Sequence, residues 1–145
     1  MNLTGHWEGK YTYGKGYPSQ YIGKSEPFEL EIIDNDGTLS GTCLDQLVKA
    51  KEGNESYIIG SYKEHEIAFK KRYKFHFSID ESGSLVLEDR VRFDGVDYKG
   101  KLYKKFFSRK LYFSGVWAIM CEFKDENNLS QTFICKGTWK MSKTG

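Results

Sequence analysis

Two stretches near the C-terminus alternate so strictly that they leave little freedom of fold. In 111–123 the odd positions read Leu111, Phe113, Gly115, Trp117, Ile119, Cys121 and Phe123, while the even positions are mixed. In 133–141 the odd positions read Phe133, Cys135, Gly137, Trp139 and Met141, and the even ones include Lys136 and Lys140. Period two is the mark of a strand with one face buried. All three tryptophans stand two residues after a glycine: Gly5 and Trp7, Gly115 and Trp117, Gly137 and Trp139. Glycine inside a strand costs stability, so it needs a steric reason. Strong coiling at a barrel corner is such a reason, with the indole at i+2 covering the space left by the missing side chain.

Antiparallel partners directly opposite share a face, so inward residues must oppose inward residues. Applied to "DENNLS", this rule sets Phe123 opposite Phe133, Cys121 opposite Cys135, Ile119 opposite Gly137, and Trp117 opposite Trp139. A turn at Asp36-Gly37 pairs Ile32 with Gly41, Leu30 with Cys43, and Phe28 with Asp45. "KEHE" pairs Tyr62 with Ile67 and Gly60 with Phe69. "DESGS" pairs Ile79 with Leu85, Phe77 with Leu87, and Tyr73 with Val91. A turn at Asp94-Gly95 pairs Val91 with Tyr98 and Asp89 with Gly100. Each strand thus pairs with the next, which is a meander. Only "LDQLVKAKE" (44–52) has room for a short helix, so nothing amphipathic covers an open sheet. The expected fold is all-β, an antiparallel up-and-down meander barrel of eight to ten strands forming one domain over 1–145.

The N-terminal "LTGHW" followed by "DGTLSGTC" resembles the opening of avidins. They belong with lipocalins and fatty-acid-binding proteins to the calycin superfamily, whose members carry Gly-x-Trp on the first strand. The resemblance implies a lipocalin-like barrel holding a small hydrophobic ligand. Avidins place a biotin-contacting Asn two residues after the first Trp; here Gly9 stands there, and Gly41-Thr42-Cys43 replaces Gly-Thr-Tyr, so biotin is not the implied ligand. Lipocalins stack an Arg across the first Trp after the last strand; the tail "KMSKTG" offers only Lys140 or Lys143.

Polar residues on the inward face are the candidate site. Lys71 lies between Phe69 and Tyr73 and points inward, as do Asp45 and Asp89. Buried charges are costly unless paired or used. In a fatty-acid-binding reading, Lys71 meets a ligand carboxylate, Tyr62, Tyr73 and Tyr98 donate hydrogen bonds, and Asp45 and Trp117 complete the lining. The alternative is that Lys71 sits at a barrel mouth and reaches water. "YGKGYPSQYIGKSEP" (13–27) carries Tyr13, Tyr17 and Tyr21 and reads as a lid or as a plain surface loop, with Tyr17 the lid's candidate contact.

A second signal lies on the outer face. Between 63 and 111 there are 13 Lys/Arg against eight Asp/Glu, although the whole chain is only +2. Lys70, Arg72 and Lys74 alternate outward, with Lys74 set opposite Arg90, Arg72 opposite Arg92, and Arg90 opposite Lys99. Such a basic wall is either a solvated face or a dock for an acidic protein or an anionic membrane surface. Nucleic acid fits poorly, because no aromatics interleave with these cations. The alternative function is therefore an interaction module with a filled core. Cys121 and Cys135 read as small core residues, and His6, His65 and His76 are scattered, so no metal or other cofactor is expected. No nucleophile–base arrangement supports an enzyme. Three cysteines without C-x-x-C and an N-terminus without an apolar signal core suit the cytoplasm.

Overall fold

The computed structural model describes residues 1–45, 56–73, 77–79, 85–87, 95–124, 127 and 129–144. Its ten strands are β1 (Gly5–Tyr13), β2 (Ser25–Asn35), β3 (Thr38–Leu44), β4 (Ser56–Lys63), β5 (Glu66–Tyr73), β6 (Phe77–Ile79), β7 (Leu85–Leu87), β8 (Val96–Tyr103), β9 (Tyr112–Lys124) and β10 (Ser130–Lys143). Eight of them close an antiparallel barrel in the order β1-β10-β9-β8-β5-β4-β3-β2, and among the described residues β6 and β7 pair with each other as a separate two-stranded sheet. Among the described residues no helix is long and apolar enough to cross a membrane.

The alternating sequence produces this closure directly. On β2, Phe28, Leu30 and Ile32 are buried, and on β9 Phe113 and Trp117 are, while their neighbours face out. Closure removes the unpaired edges that an open sheet of such strands would expose. The β2–β3 hairpin pairs Leu30 with Cys43 and Ile32 with Gly41, and the β4–β5 hairpin pairs Tyr62 with Ile67 and Gly60 with Phe69, as expected. Asp36 and Gly37 both have positive φ, 52° and 90°, the conformation whose twist matches a two-residue hairpin. The β6–β7 register, Phe77 with Leu87 and Ile79 with Leu85, also agrees.

Two expected registers are wrong. β9 and β10 are shifted by two residues: Trp117 faces Gly137, Trp139 faces Gly115, Cys135 faces Ile119, and Phe133 faces Cys121. A two-residue shift keeps every side chain on its face, so the inward rule alone cannot detect it. Bulk decides it. Directly opposed indoles would crowd, whereas a glycine opposite each indole makes room. A Cβ on Gly137 would lie 2.4 Å from the Trp117 indole, and one on Gly100 would lie 2.6 Å from that of Trp139. Gly137 is covered by the indole of Trp117 from neighbouring β9, and Gly100 by that of Trp139 from β10, two strands away; neither indole stands at i+2. The Trp117 N–H donates to the carbonyls of Thr12 and Thr138, and the Trp139 N–H to that of Val116. The shift also separates Cys121 from Cys135.

The barrel is up-and-down as expected, but β8 follows β5 around it and not the preceding strand in the chain. Tyr98 lies between Phe69 and Trp117, Gly100 between Ile67 and Gly115, and Lys99 between Ala68 and Val116. A strand residue has only two lateral neighbours, so the expected pairings of Tyr98 with Val91, Gly100 with Asp89, and Lys99 with Arg90 do not form. The Phe69 and Tyr98 rings stack at 4.7 Å, joining β8 to β5. The expected pairing of Tyr73 with Val91 falls outside the described residues, and Tyr73 lies opposite Ser56.

The two barrel ends differ. One is closed by the two-residue turns after β2 and β4 and by the N-terminal segment. There Leu3 and Trp7 are fully buried, and the Trp7 N–H donates to the Leu3 carbonyl at 2.9 Å. Asp34 fastens this plug, accepting from the Leu3 N–H and the Gly37 N–H, each at 2.8 Å. The other end carries the connections after β1, β3, β5 and β9. Among the described residues, the strand pairings of β8 and β1 with the β9–β10 pair end at Ile119 and Gly137. Phe133, expected inward, lies beyond that level and is 38% exposed.

Candidate functional site

Toward the end opposite the plug, termed the open end, a charged cluster sits inside the barrel. Lys71, near the end of β5, is 3% exposed, and Asp45, just past β3, is 1% exposed. The Lys71 Nζ lies 2.7 Å from Asp45 Oδ2, so this lysine does not reach water. The Tyr73 hydroxyl donates to the same carboxylate oxygen. Three aromatic faces surround the ammonium, with Nζ 5.3 Å from the Tyr11 ring centre, 5.1 Å from Tyr73 and 5.2 Å from Tyr98. Ring faces are negative, so the cage favours the cation.

The register explains the meeting. Cys43 lies opposite Ser56, and Ser56 lies opposite Tyr73. Asp45, two residues beyond Cys43, therefore reaches the level where β5 delivers Lys71 and Tyr73. Burial works against the Lys71 ammonium, but Tyr73, Tyr98 and Asp45 outweigh it and hold its pKa well above the ordinary lysine value. Burial raises the Tyr73 and Tyr11 phenols and pushes Tyr98 up to about 12. The cluster at neutral pH is thus one cation, its carboxylate partner and three neutral phenols. Cys43, whose thiol burial pushes up to about 12, is no nucleophile.

Of the expected ligand-contacting residues, Lys71, Asp45, Tyr73 and Tyr98 come together. Trp117, on β9, lies opposite Tyr98, 6.2 Å from Tyr11 and 5.7 Å from Tyr17. Tyr17 folds back from the β1–β2 connection onto Tyr13 at 4.8 Å, and Tyr21 joins it at 5.6 Å. The connection is tied at both sides: Gly23 N–H donates to Tyr13 O, and Lys136 N–H to Lys15 O. Tyr62 does not join the cluster. It lies toward the closed end, 5.8 Å from Phe113. Tyr11 was missed as a cage member, although its inward phase on β1 was readable. Asp89 lies outside the described residues.

Of the basic wall, Lys74, Arg90 and Arg92 lie outside the described residues. Lys70 is 3.8 Å from Asp97, and Arg72 lies opposite Tyr57. Elsewhere on the outer wall, His6 meets the carboxylates of Glu31, Glu8 and Glu29. Its hydrogen bond with Glu31 raises its pKa above the ordinary 6.5 despite partial desolvation. A surface groove of about 460 Å³ runs beside it to Tyr57. No protein-family model matches the chain, and no curated protein matches it significantly.

Proposed function

We propose that the open end of the barrel binds a small, mostly apolar molecule through one carboxylate or comparable acceptor group held by Lys71. The carrying observation is the buried Lys71–Asp45 pair inside the tyrosine cage. Folding has no need of it, since apolar residues of similar volume commonly serve a core as well or better. An acceptor group entering the cage replaces Asp45 as the partner of Lys71 and Tyr73, and the ring faces of Tyr11 and Tyr98 flank the apolar part. The described inward side chains pack closely, so entry requires Tyr17 and its connection to lift away from Trp117. The likeness to calycin barrels in layout supports the same reading, and the cytoplasm is its proposed setting.

Native mass spectrometry of freshly purified protein tests this. A mass excess that vanishes on denaturation is the expected result. Titration with a fluorescent alkyl carboxylate then compares the wild type with Lys71→Met/Asp45→Leu, a double change that leaves no buried charge unpaired. Equal affinity of the two proteins would overturn the reading.

A further inference from the structure

Phe106 and Phe107 are 87% and 98% exposed, the most exposed large apolar side chains among the described residues. They stand at the tip of the β8–β9 connection, at the closed end of the barrel. Their rings meet edge to face at 4.4 Å and pack on nothing else described. Phe107 has φ of 70°, a region bulky side chains avoid.

The turn beneath them is built, not loose. Ser108 N–H donates to Lys105 O at 3.2 Å, and Lys110 N–H donates to Ser108 Oγ at 3.2 Å. Ser108 Oγ in turn lies 3.1 Å from the Tyr112 hydroxyl. Tyr112 stacks on Tyr103 at 5.4 Å, and the Lys105 ammonium covers its ring at 4.6 Å. The connection reads "KKFFSRK" (104–110), with four cations and no carboxylate. Lys104, Lys105, Arg109 and Lys110 are all exposed.

A core has no use for two aromatic rings held in water, and such a pair marks a contact surface. The flanking charge says which contact. Aromatic rings ringed by Lys and Arg suit the boundary of an anionic bilayer, where rings enter the acyl region and cations meet headgroups. The tip is convex, so it fits a surface that yields better than one that must offer a shaped pocket. We propose that the 104–110 connection is a membrane-docking tip, with Phe106 and Phe107 inserted and the four cations on anionic headgroups. The closed end then faces the membrane and the Lys71 cluster faces away from it. This proposal stands apart from the ligand reading, since none of its residues touches the cage.

Co-sedimentation with vesicles of phosphatidylcholine alone, or of phosphatidylcholine with phosphatidylglycerol, tests it at low and high salt. The full chain is expected to bind the anionic vesicles, to bind neutral ones weakly, and to be released by salt. Phe106→Ser/Phe107→Ser is expected to lose about tenfold or more in partitioning, and Lys104→Glu/Arg109→Glu a comparable amount. Both variants should keep the wild-type thermal unfolding midpoint, because these side chains touch no core. Absence of binding at low salt, equal binding to neutral vesicles, or unchanged binding by the phenylalanine variant would each overturn the proposal. Self-association without vesicles that the phenylalanine variant abolishes would also overturn it, making the tip a contact between copies.

Discussion

At the closed end, Asp34 accepts hydrogen bonds from two backbone N–H groups and holds the Leu3 plug over Trp7. At the open end, Asp45 accepts from the side chains of Lys71 and Tyr73. Both carboxylates are buried, yet they answer different needs. Asp34 satisfies donors that folding itself creates, because the tight turn and the plug leave N–H groups without sheet partners. Asp45 satisfies a cation that the sequence has gone out of its way to bury. The contrast is between a carboxylate that serves backbone donors and one that serves side-chain donors.

The largest expected effect lies at the open end. Lys71→Met strands the Asp45 charge and should destabilise by about 3–5 kcal/mol in urea unfolding. Lys71→Met/Asp45→Leu should recover most or all of that. If the double variant is as unstable as the single one, the cluster is structural and the contrast fails. Asp34→Ala should cost about 1–3 kcal/mol, since it leaves the Leu3 and Gly37 N–H groups without their acceptor, and no second-site change at Leu3 should restore it.

The ends should also answer to different pH ranges. The Lys71, Tyr73 and Tyr98 pKa values are raised in the fold. Their contribution is therefore fully present below the unfolded values near 10 and is lost as pH rises through the folded ones. Stability should fall above about pH 10, with tyrosinate absorbance appearing as the barrel opens. His6, beside the closed end, also has a raised pKa. Its contribution is present below pH 6.5 and fades as pH climbs through the folded value. The effect is small because the ring is exposed to solvent, but NMR titration should show Glu31→Gln lowering the His6 pKa.

Much of the barrel was legible in the sequence because faces follow from period two and tight turns fix register. The Asp36-Gly37 and Glu64-His65 turns each leave one choice, and both pairings were correct. The β9–β10 connection is longer, so two registers satisfied the same faces, and only the volume of the indoles against Gly115 and Gly137 chose between them. β8 was misplaced for a related reason: a local turn at Asp94-Gly95 suggested a neighbour, while the stacking of Tyr98 on Phe69 joined segments far apart in the chain. The inward phase of Lys71, Tyr73, Tyr98 and Asp45 was readable from alternation. Their meeting was not, because eleven residues separate β3 from β4 and a connection of that length fixes no register in the sequence. The outward Phe106 and Phe107 carry no periodic signal, since a connection obeys neither strand phase nor helix phase.

The first strand takes its second lateral neighbour from the last, with Trp7 opposite Lys143 and Tyr13 opposite Gly137. During synthesis, β2 can cover one side of β1 almost at once. The other side stays open until the final strand has left the ribosome. Until β10 emerges, β1 offers a bare hydrogen-bonding edge to any neighbouring chain. A stalled or prematurely terminated product would keep that edge permanently, and its tendency to aggregate should rise sharply once β10 is missing.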